Sequence, residues 1–533
     1  MTRALVQWHG DWETTRAQFR WTFPPFFNIA ERCCDSWAVQ DPDRVALIVP
    51  DARDWSYGAL KDASARFATV LQAQGVTRGD RVAVLLPQAP EVMIAHFAAM
   101  KLGAISLPLF TLFGTDALAY RLADSGAKAV VTHAEGVAKL DAIRSEIPDL
   151  KTIFSVDPCP RPVRAFWSDI ESARPHPSPV RTRADDPAMM IYTSGTTGDP
   201  KGVLHAHRFL LGHLPCIEMH HEGLPQPGDL GWTPADWAWI GGLMDLAMPC
   251  LYYGIPQVVT RMRKFDPEAA FDLIAKHRIR TMFLPPTALK LMRDVPVPEA
   301  VSIRSIGSGG ESLGADLLEW GRAVLKAPIN ELYGQTECNL VVTSRAGKGV
   351  LRPGAMGKAV PGHEVAVIDA DGLAVADGTE GEIAVRRGSP SMFLKYWNKP
   401  DQTARKFAGD WMRTGDLGIR DADGYFRFAS RDDDVITSAG YRIGPTEIET
   451  CLTAHPDVLM AAVIGEPDPV RTEIVVAYVV LREGASWGGL AETLIHRVKK
   501  QVSPHVVPRR IERIERMPMT ATGKIMRRAL RKG

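Results

Sequence analysis

The sequence predicts an α/β fold, and three observations lead there. From residue 44 onward, short apolar runs alternate with helical stretches that stop at glycine. That is the signature of repeated βαβ units, hence of a parallel sheet with helices on both faces. The chain has 533 residues, more than one hydrophobic core serves, so two or more domains are expected. Apolar residues make up 45%, ordinary for a globular chain, and the longest apolar candidate, 98–113, is broken by Lys101, so no membrane-spanning segment is expected.

Taken in order, residues 1–40 carry Trp8, Trp12, Phe19, Trp21, Phe26 and Phe27, which suits an arm packed on the main body. Strands are expected at 44–49, 82–86, 104–110 and 129–132. Helices are expected at 57–74, 90–102 and 115–125, each closed by a glycine (Gly75, Gly103, Gly126). Residues 156–187, rich in Pro, Arg and Asp, read as a connecting loop. Residues 188–191 read as a buried strand, and 202–212 as the start of a helix. A second βαβ series follows, with a helix at 271–276 and strands at 281–284 and 305–307. Hairpins are expected over 363–387, around Asp371-Gly372 and Gly378. Near the C-terminus, strands at 460–464 and 474–481 precede a helix at 491–501.

Bulk charge removes some functions. Lys and Arg total 63 against 62 Asp and Glu, a net +1, so no global field draws the chain to nucleic acid or an anionic membrane. The seven cysteines include no C-x-x-C pair, and Cys33 and Cys34 are adjacent. This pattern fits free thiols in a reducing cytoplasm. Residues 1–20 contain no apolar core of a signal peptide, so the expected location is cytoplasmic.

The stretch that organises the chain is Tyr192-Thr193-Ser194-Gly195-Thr196-Thr197-Gly198-Asp199-Pro200-Lys201-Gly202. Hydroxyls, glycines and one lysine after a buried strand make a loop whose amides and cation can face an anion. Its lysine is placed differently from that of the Walker loop. Downstream, Trp232, Trp237 and Trp239 lie within eight residues beside Gly241-Gly242, either as aromatic core or as a pocket wall. Four more stretches follow: Ser308-Gly309-Gly310-Glu311, Tyr333-Gly334-Gln335-Thr336-Glu337, Thr414-Gly415-Asp416 and Arg431-Asp432-Asp433. The last two are Ser438-Ala439-Gly440-Tyr441-Arg442 and Thr522-Gly523-Lys524.

Together these stretches resemble the AMP-forming, adenylating superfamily of acyl-CoA synthetases, peptide-synthetase adenylation domains and luciferases, over roughly residues 45–530. The flavour is that of the acetyl-CoA and medium-chain acyl-CoA synthetase branch. The resemblance implies a large N-terminal adenylate-forming domain, 1–432, with βαβ-built sheets and a β-barrel-like subdomain. It implies a small mobile α+β lid domain, 433–533, turning about Asp433. The reaction implied is activation of a carboxylic acid by ATP to an acyl-adenylate, then transfer to CoA, with AMP and pyrophosphate released. The alternative is a stand-alone adenylation enzyme that loads a carrier protein.

The resemblance also distributes roles. Lys524, Thr336 and Lys201 match catalytic positions. Thr193, Ser194, Gly195, Thr196, Thr197, Gly310, Glu311, Tyr333, Gln335, Asp416, Arg431 and Arg442 match nucleotide contacts. Glu337 matches the ligand of Mg²⁺, a hard ion that prefers oxygen. Trp239, Gly309 and Gly334 match the acyl site, and Gly440 with Lys499 (or Lys500) the CoA side. Gly334 stands where acetate-specific relatives carry a blocking tryptophan, implying a medium-chain, branched or aryl acid rather than acetate. Pro518, Gly523 and Lys524 resemble a site that protein lysine acetyltransferases modify. The oligomeric state is left open.

Overall fold

Among the described residues the strands form three sheets, of 14, 8 and 5 strands. The computed structural model describes residues 4–176, 178–193, 199–310, 313, 315–431, 436–518, 525 and 527–531.

The eight-stranded sheet grows from the predicted βαβ units. Arg81–Leu85, Ile105–Pro108, Ala129–Thr132 and Thr152–Ser155 run parallel. Most of their residues are buried, as befits parallel strands covered on both faces. The covering helices include Tyr57–Ala73, whose first turn is capped by Ser56 accepting from the Ala59 amide. Thr115–Ser125 stops at Gly126, which adopts φ +59°. Pro187–Thr193 joins parallel to Ile105–Pro108, and the chain then reverses.

Two expectations fail here. Residues 201–206 form a strand, Lys201–Ala206, and the helix begins only at Phe209. Pro187–Thr193 offers an open edge, and Lys201–Ala206 pairs along it from Thr193↔Lys201 to Pro187↔Ala206. This satisfies backbone groups that burial would otherwise strand. Residues 156–187 are not all loop: Arg164–Ala165 extends the sheet and Phe166–Ser172 is helical. Phe166 and Ile170, one helical turn apart, are buried, and Arg164 grips Asp169 through two bonds of 2.7 and 2.9 Å.

The 14-stranded sheet has two halves. Val45–Ile48, Gln257–Val258, Gly231–Trp232, Thr281–Phe283, Ser305–Gly309 and Ile329–Gln335 are parallel. From Ile329–Gln335 the pairing turns antiparallel through Asn339–Thr343, Gly357–Ala359, Tyr425–Arg431, Trp411–Arg420, Glu380–Arg386 and Val365–Ile368. This antiparallel half occupies the place of the expected barrel-like subdomain.

The C-terminal sheet pairs Tyr441–Ile443, Ile436–Ser438, Thr472–Leu481 and Val458–Asp468 antiparallel, with Arg510–Arg513 parallel beside Thr472–Leu481. It packs under helices Pro445–Thr453 and Leu490–Gln501 around its own apolar cluster. The expected domain boundary, with Asp433, lies outside the described residues.

Helix Phe209–His220 is buried at all 12 residues. It carries a carboxylate into the core: Glu218 accepts the amides of Leu5 and Val6 at 2.6 and 2.7 Å and the Tyr253 hydroxyl at 2.5 Å. The expected N-terminal arm is thus tied down, helped by the Trp12 and Trp21 indoles, which donate to the Ala359 and Gly362 carbonyls. Burial pushes the Glu218 carboxyl up to about 7, against hydrogen bonds that pull it down. The folded chain therefore keeps a proton that the unfolded chain releases near the ordinary value of 4.5. The stability this supplies is complete below that value and is lost as pH rises to about 7, up to about 3 kcal/mol. Glu218→Gln should flatten the fall in thermal midpoint over that window. Parallel pH profiles for wild type and variant would contradict it.

Candidate active site

The hairpin Pro187–Thr193/Lys201–Ala206 holds Thr193 opposite Lys201 at its mouth. The connecting residues Ser194, Gly195, Thr196 and Thr197 lie outside the described residues. The Lys201 ammonium sits 5.1 Å from the centre of the Tyr396 ring, a cation–π contact. Tyr396 donates its phenolic hydrogen to Glu337 Oε1 at 2.6 Å. Tyr396 reaches this place because Lys395–Tyr396 pairs with Lys201–Ala206. Glu337, 8% exposed, is fixed further by its carbonyl, which accepts the Phe393 amide at 2.7 Å. A lysine from a strand and a carboxylate from the turn after Ile329–Gln335 thus share one aromatic partner.

Strand Ile329–Gln335 carries the second group. The Tyr333 hydroxyl and Gln335 Nε2 both donate to Asp416 Oδ2, at 2.8 and 2.6 Å. Gln335 Nε2 also donates to the Thr414 carbonyl at 2.8 Å. Burial, reinforced by the Asp416 carboxylate, holds the Tyr333 phenol well above its ordinary value, so it stays a donor. Both donors converge on one oxygen of this carboxylate. Arg431 lies opposite Asp416 in register.

The third feature is a cavity of about 80 Å³ walled by Trp239, Phe283, Gly310, Thr336 and Gly440. Trp239 leads into the short helix Ile240–Gly242 and lies 5.6 Å, ring to ring, from Phe283. Trp232 and Trp237 are core residues, 0% and 2% exposed. Gly309 and Gly334 are on the wall, but not as vacated space. A Cβ at Gly334 would meet the Asn339 carbonyl oxygen at 1.8 Å, and one at Gly309 the Leu332 carbonyl oxygen at 2.5 Å. Both are glycine because backbone approaches backbone, at Gly334 where a bulge interrupts the pairing with Asn339–Thr343. Gly309 and Gly334 thus line the cavity with backbone and leave no room for a side chain there.

The C-terminal part reaches this cavity. Gly440 adopts φ +79° at the tip of a hairpin, and a Cβ there would lie 3.7 Å from the Trp239 ring. Tyr441 stacks on His505 at 4.2 Å and lies 6.1 Å from the ring of Phe110. The same interface is held by the Gly114 amide donating to the Val502 carbonyl at 2.6 Å. A second cavity, about 90 Å³, opens there between Phe113, Tyr192, Tyr441 and His505.

The structure therefore gathers Lys201 with Glu337, Tyr333 and Gln335 with Asp416, and Trp239, Gly309, Gly310, Gly334, Thr336 and Gly440 around one cavity. Lys499 is not gathered with them; it stands exposed on Leu490–Gln501. Arg431 and Arg442 lie on strands Tyr425–Arg431 and Tyr441–Ile443. Glu311, Asp433 and Lys524 lie outside the described residues. Tyr396 was missed, because only strand pairing reveals it.

Among the described residues no group of three or more His, Cys, Asp or Glu side chains could hold a metal ion. One buried carboxylate beside a lysine fits Mg²⁺ only as an ion brought in on phosphate oxygens, the usual manner for Mg²⁺ in nucleotide sites.

Gly334→Ala should lower stability by roughly 1–3 kcal/mol, the range for overpacking. Gly310→Ala meets no atom closer than 3.6 Å, although its φ of +93° disfavours alanine. Urea unfolding compares the two, and an unaffected Gly334→Ala would contradict the backbone argument.

The profile of the AMP-binding enzymes matches residues 34–397, and that of the AMP-binding enzyme C-terminal domain matches 447–524. The chain is 34% identical to the mitochondrial acyl-coenzyme A synthetase ACSM4 of Rattus norvegicus over 95% of its own length and 90% of the relative's. It is 33% identical to the acetyl-coenzyme A synthetase of Bacillus subtilis (strain 168), over 98% and 93% of the two chains. A crystal structure of Brucella canis acyl-CoA synthetase superposes with a TM-score of 0.73 at 34% identity, covering 98% of each chain. The chain belongs to the AMP-binding enzyme family, the adenylate-forming enzymes that include the acyl-CoA synthetases.

Proposed function

We propose that the chain joins a compact carboxylic acid larger than acetate to CoA. The reaction class is that of an AMP-forming acid–CoA ligase: ATP activates the acid, CoA takes the acyl group, and AMP and pyrophosphate leave. The observation that carries the reading is the cavity shared by Thr336, beside the Lys201–Tyr396–Glu337 group, and Gly440 of the C-terminal part. Acid, nucleotide and thiol have one place to meet.

A carboxylate is a poor acyl donor because oxide is a poor leaving group. Coupling it to AMP replaces oxide with a stabilised leaving group, but brings two anions together, so charge must be neutralised at the α-phosphate. In this reading Lys201 and the 193–198 loop hold the outer phosphates. Glu337 holds Mg²⁺, which when bound supplies Lewis acidity to the phosphates. Tyr333 offers its ring face to adenine, and Asp416 a carboxylate acceptor to ribose hydroxyls. Lys524 meets carboxylate and α-phosphate, with Arg431 and Arg442 as fixed positive charge. The Gly440 hairpin against Trp239 suits the second step, where the thiol must pass close to backbone.

The cavity narrows the acid. Its wall of aromatic rings and glycine backbone suits a branched or aryl acid. Within that limit each buried methylene adds about 0.8 kcal/mol, so neighbouring homologues are separated only modestly.

Lys524→Ala should depress adenylation about 10²–10³-fold and spare thioester formation from supplied acyl-adenylate. Acetylation of Lys524 by a protein lysine acetyltransferase removes the same charge and should act alike. Assaying the two half-reactions separately decides this. Equal loss in both, or in neither, would contradict the assignment.

A further inference from the structure

The cavity is not uniformly apolar. Asp245, 5% exposed, lies on its wall. The residue sits in the π-helical turn Leu243–Ala247, between Ile240–Gly242 and Met248–Tyr253. Such widened turns recur at functional sites because the extra residue re-aims a side chain. Asp245 Oδ1 lies 3.0 Å from Nε2 of His213, which is fully buried on Phe209–His220. Among the described residues His213 is the one charged or hydrogen-bonding side chain that meets this carboxylate. Burial raises the Asp245 carboxyl above its ordinary range while His213 pulls it down.

Asn339 contributes a second acceptor on the same wall. Its Nδ2 donates to the Ser391 carbonyl at 2.8 Å, which fixes the amide, and its Oδ1 is buried without a hydrogen-bond partner. Burying acceptors without donors is costly. A pair of apolar side chains would hold helix Phe209–His220 against this wall at least as well as an acid and a histidine. A buried carboxylate on the wall of a small cavity calls for a donor that arrives with the substrate.

Resting on the function proposed above, we propose that the acid carries a neutral hydrogen-bond donor, a hydroxyl or an aromatic amine, a few bonds beyond its carboxyl, and that Asp245, oriented by His213, accepts from it with Asn339 alongside. A neutral donor matches because the wall is buried, and an ammonium would carry its own desolvation cost into it. The donor sets specificity and takes no part in the chemistry at the carboxyl.

The test uses acids of equal size on the full chain, read as CoA-dependent AMP release. The first set is 4-hydroxybutanoate, pentanoate and 4-aminobutanoate; the second is 4-hydroxybenzoate and 4-methylbenzoate. Wild type should favour hydroxyl over methyl by roughly 10⁴-fold in kcat/KM, since a site built to bond a hydroxyl rejects the analogue lacking it. It should also favour 4-hydroxybutanoate over 4-aminobutanoate. Asp245→Leu should abolish or invert the hydroxyl-to-methyl ratio. If Asp245→Leu fails to fold, Asp245→Asn and His213→Gln should each lower the ratio by about 10-fold, with thermal midpoints taken alongside. Equal use of hydroxyl and methyl acids by wild type, a preference for the ammonium, or a ratio unmoved in folded variants would overturn the inference. Absence of AMP release with every acid would instead overturn the proposed function itself.

Discussion

The geometry of the site depends on one strand, Ile329–Gln335, which pairs parallel with Ser305–Gly309 on one side and antiparallel with Asn339–Thr343 on the other. Ligand sites in open α/β sheets form beyond the carboxyl ends of strands, where the topology changes. Here that end presents Thr336 to the cavity and Glu337 to Tyr396, beside Gly310 from the neighbouring strand. The bulge at Tyr333–Gly334 sets the turn of the chain, and the carbonyl of Asn339 permits no side chain at Gly334. The hydrogen bonds of Tyr333 and Gln335 to Asp416 then fasten this end to the antiparallel half. A single strand thus aligns groups from both halves of the large sheet.

Charge is handled by neighbours already in place. Lys201, on a strand, and Glu337, in the turn after Ile329–Gln335, meet across Tyr396, so the positions that the proposed function gives to phosphates and Mg²⁺ are fixed in advance. The cavity beside Trp239 is built differently. Aromatic rings and glycine backbone form most of its wall, and its polar groups include the acceptors Asp245 and Asn339.

Much of this was legible in the sequence wherever a local rule decides. Helix Thr115–Ser125 and strand Ala129–Thr132 fall where periodicity and Gly126 place them. The stretches around Lys201, Tyr333 and Asp416 are contiguous, so their chemistry shows in order along the chain. What escaped is what pairing decides. Lys201–Ala206 became a strand because a free edge lay beside it. Phe166–Ser172 hid among prolines and arginines, with only two buried side chains to mark it. Tyr396 and the His213–Asp245 pair are brought in by tertiary contact. Gly334 lines the cavity as the sequence placed it, but that the Asn339 carbonyl closes on its Cβ position is a tertiary fact a glycine letter does not carry.

The central claim is that one cavity serves both halves of a two-step reaction, with the adenylate made first and the thiol delivered second. The most direct measurement incubates the enzyme with ATP, Mg²⁺ and an accepted acid without CoA, isolates the protein, and identifies the bound nucleotide by mass spectrometry before and after adding CoA. The account predicts protein-bound acyl-adenylate that converts to acyl-CoA and free AMP on the chase. Release of ADP and phosphate, or an adenylate that CoA leaves intact, would contradict it.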